Sequence, residues 1–308
     1  MNTLHFKYAV EVERTGSISQ AAENLYMAQP NLSKAIREME DSLGITIFER
    51  TSKGAVPTQE GREFLGYAKT ILAQIEKMET IHIPRTERQT LKVSIARGSY
   101  LANGFSRFVG GLDLTKHLDL QILETNSMQT IDHVVNDNFN FGVVRYQDKY
   151  ENYFLDYLKE KQLASEILWS FECLVLLSKD HPLAKEERLD YAQLHKTSVE
   201  IVHGDNVIPY LPAKEARQDC CQKRIFVYER GSQFDLLCHV PQTFMWVSPV
   251  PQELCDRYDL VQRRCAAPNN HFKDVLVYAR EYTFSDLERS LINCFYEEKN
   301  AVSLKNYL

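Results

Sequence analysis

Residues 16–43 read GSISQAAENLYMAQPNLSKAIREMEDSL, a stretch that predicts two short helices joined by a tight turn. Ser17 and Ser19 can each accept a hydrogen bond from the free N–H groups at the start of the first helix. Pro30 suits the first turn of a helix, because its missing N–H costs nothing there and its φ is already helical. The second helix therefore begins near Gln29 or Pro30, after a break at residues 26–29.

The second helix is predicted to be amphipathic. Apolar residues recur on its inner side at helical spacing, namely Leu32, Ala35, Ile36, Met39 and Leu43. The opposite side then turns outward and carries Asn31, Ser33, Lys34 and Arg37. Such a face can enter the major groove of DNA, although two amphipathic helices with a short turn also occur in helical bundles.

The residues after Gly44 favour the DNA-binding alternative. Residues 45–48 have the pattern of a short strand, and residues 49–58 (ERTSKGAVPT) that of a hairpin with Gly54 at the bend. The hairpin carries Arg50 and Lys53, which would place phosphate contacts beside a groove-reading helix. This combination predicts a winged helix-turn-helix.

The N-terminal part resembles the LysR-type transcriptional regulators of bacteria. The resemblance rests on motifs at fixed offsets: Gly16-Ser17, Ala21-Ala22, Gln29-Pro30, Leu32-Ser33-Lys34, Leu43-Gly44, Phe48-Glu49-Arg50, Thr58 and Glu60-Gly61. It implies that Gln29, Pro30, Ser33 and Lys34 face DNA and that Arg50 approaches its backbone. Arginine is the commoner residue of the family where this chain has Lys34, and lysine lacks the planar fork of a bidentate guanine contact.

Composition agrees with a regulator that touches DNA locally. The chain has 308 residues, enough for two domains, and a net charge of −6. A protein that coats DNA over its whole surface would be basic. With neither a long apolar run nor a signal-peptide pattern, we expect a cytoplasmic protein without a membrane partner. Seven cysteines without metal-ligand spacing are typical of reduced thiols.

A heptad-like seam follows the predicted wing. It comprises Phe64, Ala68, Ile71, Ile75 and Met78. A helix of this length would exceed what a small winged domain can cover, so we expect it to pair with a second copy; the alternative is a helix packed on its own chain. A two-fold dimer would recognise an inverted repeat in double-stranded DNA. Polar residues 84–90 then predict a linker.

Beyond residue 91, strand and helix patterns alternate, which favours an α/β domain with a mainly parallel sheet. Predicted strands cover residues 91–96, 118–123, 141–144, 173–177, 198–202, 225–228, 244–247, 260–263 and 275–278, and the first two are each followed by a helix, at 99–110 and 127–138. Two crossings, near residues 161–165 and 265–269, predict two subdomains. The family resemblance extends here more weakly, to an effector domain similar to periplasmic binding proteins.

Two strand-to-helix turns, Gly98-Ser99 and Asn126-Ser127, predict an anion site at the carboxyl ends of strands, where helix N-termini offer free N–H groups. Arg145, at the end of a third strand, could meet a carboxylate held there. The resemblance implies that positions matching Ser99, Ser127 and Arg145 surround a ligand carboxylate, with those near Ile201 and His203 closing over it. The candidate pocket comprises Ser99, Tyr100, Asn126, Ser127, Arg145, Ile201 and His203, with Arg97, Glu229 and Arg230 as weaker members. Alternatively, both serines are helix caps and Arg145 is an ion-pair partner.

The sequence therefore predicts an α+β protein in three parts. These are a winged helix-turn-helix domain (1–58), a dimerisation helix and hinge (59–90) and a two-subdomain α/β effector-binding domain (91–308, with subdomain I at 91–161 and 269–308 and subdomain II at 165–265). The expected function is DNA-binding transcriptional regulation by a homodimer or homotetramer, controlled by a small organic anion and without a cofactor; RNA polymerase stays open as a further partner.

A thiol-based redox sensor, using Cys220, Cys221 or Cys238, is the alternative of the same fold. Enzyme and solute-binding functions are the distant alternatives, because no catalytic motif is present and a solute-binding protein would not carry a wing.

Overall fold

The computed structural model describes residues 2–51, 54–79, 88–205 and 223–303. The chain divides into two compact units, and along the sequence the boundary falls between Arg88 and Gln89. Within the described ranges, no helix is both long and apolar enough to cross a membrane.

The N-terminal unit begins with three helices, α1 (Thr3–Thr15), α2 (Ile18–Asn24) and α3 (Gln29–Leu43). Ser17 is the N-cap of α2 and accepts a hydrogen bond from the Gln20 N–H at 3.3 Å. Pro30 lies in the first turn of α3, and Gly44 ends that helix in the left-handed conformation. Both ends of α3 lie where the sequence predicts them.

A two-stranded antiparallel wing follows, formed by β1 (Phe48–Thr51) and β2 (Gly54–Pro57), and leads into α4 (Gln59–Glu79). The strand predicted at residues 45–48 begins only at Phe48. The N–H groups of Ile47 and Phe48 donate to the Glu40 carboxylate at 2.7 and 3.1 Å. Gly54 has a φ of +107°, and an added Cβ would lie 2.2 Å from the Gly16 carbonyl oxygen, so this bend requires glycine.

The first half of α4 belongs to the core of the N-terminal unit. Ala68 is 1% exposed within that core, and the Phe64 ring lies 5.9 Å from the Phe6 ring of α1. Ala68 is therefore covered by its own chain, which corrects its assignment to a dimer seam, whereas Phe64 is only partly buried there. Ile71 and Met78, further along α4, are 41% and 67% exposed.

The second unit alternates strands and helices. Its elements are β3 (Arg88–Ala96), α5 (Ser99–Gly110), β4 (His117–Thr125), α6 (Ser127–Asn136), β5 (Phe141–Gln147), α7 (Glu151–Glu160), β6 (Leu163–Glu172), β7 (Leu174–Ser178), β8 (Arg188–Leu189), α8 (Tyr191–Thr197), β9 (Val199–His203), β10 (Arg224–Val227), α9 (Arg230–His239), β11 (Thr243–Val247), α10 (Gln252–Arg257), β12 (Leu260–Cys265), β13 (His271–Ala279) and α11 (Asp286–Ser303).

Two sheets form this unit in the part of the chain that the structure describes. The first has the strand order β4-β3-β5-β13-β6 and the second β10-β9-β11-β7-β12-β8. Both are mixed rather than mainly parallel: β3 pairs parallel with β5, but β13 pairs antiparallel with β5 and β6. Neighbouring residues of β5 point to opposite faces of the first sheet, so that Val143 and Val144 enter different apolar clusters.

The chain passes from the first sheet to the second at residues 172–174, later than the predicted crossing at 161–165. The reason is β6, which pairs with β13 along its whole length and so stays in the first sheet. The return crossing lies between β12 and β13, at residues 266–270, and the prediction placed it at residues 265–269.

Candidate functional site

The outer side of α3 is a continuous polar surface. Gln29, Pro30, Ser33, Lys34 and Arg37 line one concave region of about 360 Å³, whereas the opposite side of the helix is buried in the N-terminal core. These predicted DNA-facing residues therefore lie together.

Lys34 is available to an incoming anion. Its side chain is 77% exposed, and its ammonium lies 3.6 Å from the Glu38 carboxylate one turn further on. An exposed pair at this spacing contributes at most about 0.5 kcal/mol, so a phosphate or a base edge can replace it.

The other candidate DNA-binding residues are Ser17, Ser19, Asn31, Arg50 and Lys53. Ser17 uses its hydroxyl to cap α2, whereas Ser19 and Asn31 are exposed. Arg50 lies in β1 opposite Ala55, and Lys53 lies outside the described residues.

The wing is held in place by the helices. The Ala55 N–H donates to the Gly16 carbonyl at 2.8 Å, at the bend between α1 and α2. The Glu40 carboxylate holds the chain just before β1. The wing and α3 therefore share fixed contacts within one unit, as a groove-reading helix and its flanking phosphate contact require.

In the second unit, Arg145 is an internal ion-pair partner. Its Nε and Nη2 donate to the two oxygens of Asp274, each at 2.7 Å. Its Nη1 donates to the Arg97 carbonyl at 3.0 Å, Nη2 also donates to the Ser248 hydroxyl at 3.2 Å, and the guanidinium lies over the Phe171 ring. Burial alone would lower the pKa of Arg145, but the Asp274 charge outweighs it and raises the pKa. The assignment of Arg145 to a ligand carboxylate is corrected, because Asp274 already fills that role.

The polar side chains of the second strand-to-helix turn also form their hydrogen bonds within the protein. The Ser127 hydroxyl donates to the Arg145 carbonyl at 2.6 Å and accepts from the Arg145 N–H at 2.9 Å. Asn126 caps α6 by accepting from the Gln129 N–H at 3.0 Å. Ser127 therefore joins α6 to β5, and the cap is the neighbouring asparagine.

Two ion pairs connect the two sheets at the carboxyl ends of their strands. Arg97, after β3, donates to both oxygens of Asp205, after β9, at 2.8 and 2.6 Å. Arg230, at the start of α9, donates to Glu124 and to the Ser99 hydroxyl, each at 2.9 Å. Burial alone would raise the pKa of Asp205, but its hydrogen bonds and charge contact with Arg97 lower it. These contacts connect the carboxyl ends of the two sheets across the cleft between them.

His203 lies beside these pairs at the end of β9. It is 7% exposed, and its Nε2 lies 3.0 Å from the Gln233 side-chain oxygen. Burial, together with the positive charge of Arg97, lowers its pKa to about 4. The imidazole is therefore neutral at pH 7 and adds no charge to the cleft.

Two predicted pocket residues are core residues instead. Ile201 is 2% exposed within the apolar cluster of the second sheet. Tyr100 is fully buried, and its hydroxyl donates to Asp274 at 2.6 Å. Burial and the Asp274 charge raise the pKa of Tyr100 well above its ordinary value. The helical and strand periodicity that turns these two side chains inward was visible in the sequence, but their sheet partners were not.

Comparison with known proteins agrees with the geometry of α3 and the wing. Residues 4–62 match the family model described as "Bacterial regulatory helix-turn-helix protein, lysR family". Over these residues the chain is similar to the helix-turn-helix domain of the LysR family.

Curated relatives extend the similarity into the second unit. The chain is 25% identical over 187 residues to the RuBisCO operon transcriptional regulator of Allochromatium vinosum, covering 59% of this chain and 58% of that one. It is 29% identical over 196 residues to the probable cat1 operon transcriptional activator of Acinetobacter lwoffii, covering 60% and 59%. The matches thus span less than two thirds of either relative.

Two solved structures share the fold of this chain. CbnR, described as a LysR family transcriptional regulator, aligns over 97% of this chain and 99% of its own with a TM-score of 0.57 at 12% identity. A full-length OxyR from Pseudomonas aeruginosa covers 98% of this chain and 96% of its own, with a TM-score of 0.52 at 16% identity.

Four side chains that pair with the cationic residues of the cleft were not identified from the sequence. These are Glu124, Asp205, Ser248 and Asp274. Glu124 and Asp205 follow the same rule that selected Ser99, since each lies at the carboxyl end of a strand. A search for carboxylates as well as cations at those positions would have found them.

The described thiols give the redox alternative no support. Burial raises the pKa of Cys173 to about 12 and that of Cys265 to about 11. Burial also raises the pKa of Cys238. A thiol reacts as its thiolate, so these groups are poor nucleophiles. Cys220 and Cys221 lie outside the described residues.

Proposed function

We propose that the protein is a sequence-specific DNA-binding transcriptional regulator that reads a major groove with α3. The observation that carries this proposal is the concave polar surface of Gln29, Ser33, Lys34 and Arg37 on a helix whose other side is buried. The amide of Gln29 suits an adenine edge, and the ammonium of Lys34 suits a guanine edge. Arg50 of the wing would contact the flanking phosphates.

Equilibrium binding tests this proposal with Lys34→Ala, using an operator selected from random duplexes by the protein itself and a scrambled duplex. If Lys34 reads a base, the variant loses about 10-fold or more in operator affinity and clearly less on scrambled DNA. Lys7→Ala is the matched control, because it removes an exposed positive charge from α1 of the same unit. Equal losses on both duplexes would make Lys34 a phosphate contact, and failure of the wild type to select any sequence would refute specific recognition.

The oligomer that we propose is a dimer formed through the second half of α4, where Ile71 and Met78 are exposed. A two-fold arrangement would require an inverted-repeat operator. Light scattering of Ile71→Asp/Met78→Asp should give a lower mass than the wild type, because burying two carboxylates in an apolar seam is unfavourable. An unchanged oligomeric mass in this double variant would place the interface elsewhere.

We further propose that a small-molecule effector binds between the two sheets, at Arg97 and Arg230. Among the described residues, three guanidinium groups at the cleft are each paired with a carboxylate: Arg97 with Asp205, Arg145 with Asp274 and Arg230 with Glu124. An organic anion would therefore enter by displacing a carboxylate. Asp205 is the more readily displaced, because its side chain is 25% exposed whereas Asp274 is fully buried.

Thermal unfolding against a panel of organic acids tests this site, because a ligand of the folded state raises the midpoint. For an acid that binds, Asp205→Asn should strengthen binding about 10-fold by removing the internal competitor, and Arg97→Ala should weaken it by at least as much. Lys179→Ala, which removes an exposed ion pair with Asp259, is the control. A midpoint shift that survives both cleft substitutions would place the acid outside this cleft.

A further inference from the structure

Tyr26, in the turn between α2 and α3, is strained and almost fully exposed. Its φ is +53°, in the left-handed region, and the residue is 98% exposed. A left-handed backbone is unfavourable for a residue that carries a Cβ. The turn therefore places an aromatic ring in solvent at an energetic cost.

Most other left-handed positions among the described residues carry glycine, asparagine or aspartate, and Gln162 is the exception. The glycines are Gly16, Gly44 and Gly54, and the asparagines are Asn138 and Asn269. Glycine has no Cβ, and asparagine tolerates this conformation through local hydrogen bonds. An asparagine at position 26 would meet the backbone requirement of this turn at lower cost than tyrosine.

The domain gains no packing in return for the ring of Tyr26. The neighbouring residues Leu25 and Met27 are the ones that contact the N-terminal core. The backbone of the turn is held by hydrogen bonds from the Tyr26 N–H to Glu23 and from the Met27 N–H to Ala22, each at 3.0 Å. These contacts turn the Tyr26 side chain away from the core.

We propose that Tyr26 is an additional DNA contact, whose phenol hydroxyl donates a hydrogen bond to a backbone phosphate beside the groove that α3 enters. The inference rests on the proposed DNA-binding function. Tyr26 lies three residues before Gln29, the first residue of α3 and of its concave polar surface. Tyrosine hydroxyls are among the groups that contact phosphate oxygens and so set the register of a protein on the duplex.

The test compares wild type, Tyr26→Phe and Tyr26→Asn in the full-length chain. Affinity for the selected operator and for a random-sequence duplex is measured by fluorescence anisotropy over a range of salt concentrations. Both variants should bind about 3- to 10-fold more weakly on both duplexes, the effect of one hydrogen bond. The salt dependence should keep its slope, because a hydroxyl releases no counterion, whereas Lys34→Ala should reduce it if Lys34 neutralises a phosphate.

Thermal unfolding separates a lost contact from a damaged fold. Tyr26→Asn should unfold at a higher temperature than wild type, since asparagine relieves the left-handed strain, while it binds DNA more weakly. Gln162→Asn is the matched control: Gln162 is exposed with a φ of +57° in the second unit, and its substitution should leave DNA affinity unchanged.

Unchanged affinity of both variants on both duplexes would overturn the inference and leave the proposed function intact. A loss of affinity confined to the operator would also overturn the inference, because it would make Tyr26 a base-reading residue. A loss of affinity in Tyr26→Asn that Tyr26→Phe does not share would overturn it as well, because the phenol hydroxyl would then not be the contact. Failure of the wild type to bind any duplex would instead refute the proposed function.

Discussion

Replacing Asp274 with asparagine should strongly destabilise the second unit. The Asp274 carboxylate is fully buried and accepts three hydrogen bonds, from Nε and Nη2 of Arg145 at 2.7 Å each and from the Tyr100 hydroxyl at 2.6 Å. Asparagine keeps the shape of the side chain but removes its charge and turns one acceptor into a donor. One N–H of the Arg145 guanidinium would then face another donor.

The expected loss is about 3 kcal/mol in the free energy of unfolding. Breaking a buried ion pair by removing one partner costs roughly 3–5 kcal/mol, because the other charge stays buried without compensation. The lower value applies here, since Arg145 keeps its contacts with the Arg97 carbonyl, Ser248 and the Phe171 ring. Domains are stable by only about 5–15 kcal/mol in all, so this loss is a large share.

Urea unfolding followed by tryptophan fluorescence measures the effect close to the site, because the Trp169 ring lies 5.1 Å from the Tyr100 ring. Asp259→Asn is the matched control: its carboxylate forms an ion pair with Lys179 at 3.0 Å but is 83% exposed, and its loss should cost less than about 0.5 kcal/mol.

A loss below about 1 kcal/mol in Asp274→Asn would refute the reasoning, since it would mean that Arg145 does not depend on this charge. The double variant Arg145→Met/Asp274→Leu adds a second check. Removing both charges together should cost less than the sum of the two single substitutions.

Three further predictions concern the rest of the chain. The pKa of His203 is lowered from 6.5 to about 4 in the folded state, so the unfolded chain takes up the His203 proton at higher pH than the folded chain. The free energy of unfolding should therefore fall by about 3 kcal/mol as the pH drops from about 6.5 to 4. Urea unfolding of His203→Gln should lack this part of the loss. Gly54→Ala should lower the unfolding midpoint of the N-terminal unit, because its Cβ would meet the Gly16 carbonyl, whereas Gly66→Ala, with nothing within 4 Å in α4, should raise it. Burial raises the pKa of Cys173 to about 12, so this thiol should react with a disulfide reagent only when the protein unfolds. Mass spectrometry measures the labelling, and labelling of Cys173 in the native protein would contradict its burial.

Sequence rules that act over a few residues predicted the backbone correctly wherever one residue dictates its conformation. Pro30 and Gly44 bound α3, and Gly54 forms the bend of the wing, as the sequence predicts. The strand-to-helix turn at Gly98 was equally readable, and α5 covers the predicted residues. In each case the decisive interaction lies within a few residues of the chain.

Prediction failed where the partner is distant in sequence. The crossing was misplaced because β6 pairs with β13, more than a hundred residues later, and single-strand patterns do not show which strand they pair with. Arg145 was assigned to a ligand because an arginine at a strand end suits a carboxylate, whether that carboxylate belongs to a ligand or to Asp274 of the same chain. Ala68 was placed in a dimer seam because apolar spacing alone does not say which surface covers it.

From its residues alone, this protein can be assigned a winged helix-turn-helix and a polar α3 surface, because caps, glycine bends and helical periodicity act over a few residues. Only the tertiary structure shows how the polar groups in the cleft pair: Arg97 contacts Asp205, and Arg230 contacts Glu124 and Ser99. These side chains meet only after two sheets have folded and faced each other, and a charged group has the same appearance in a sequence whether it awaits a ligand or is already paired.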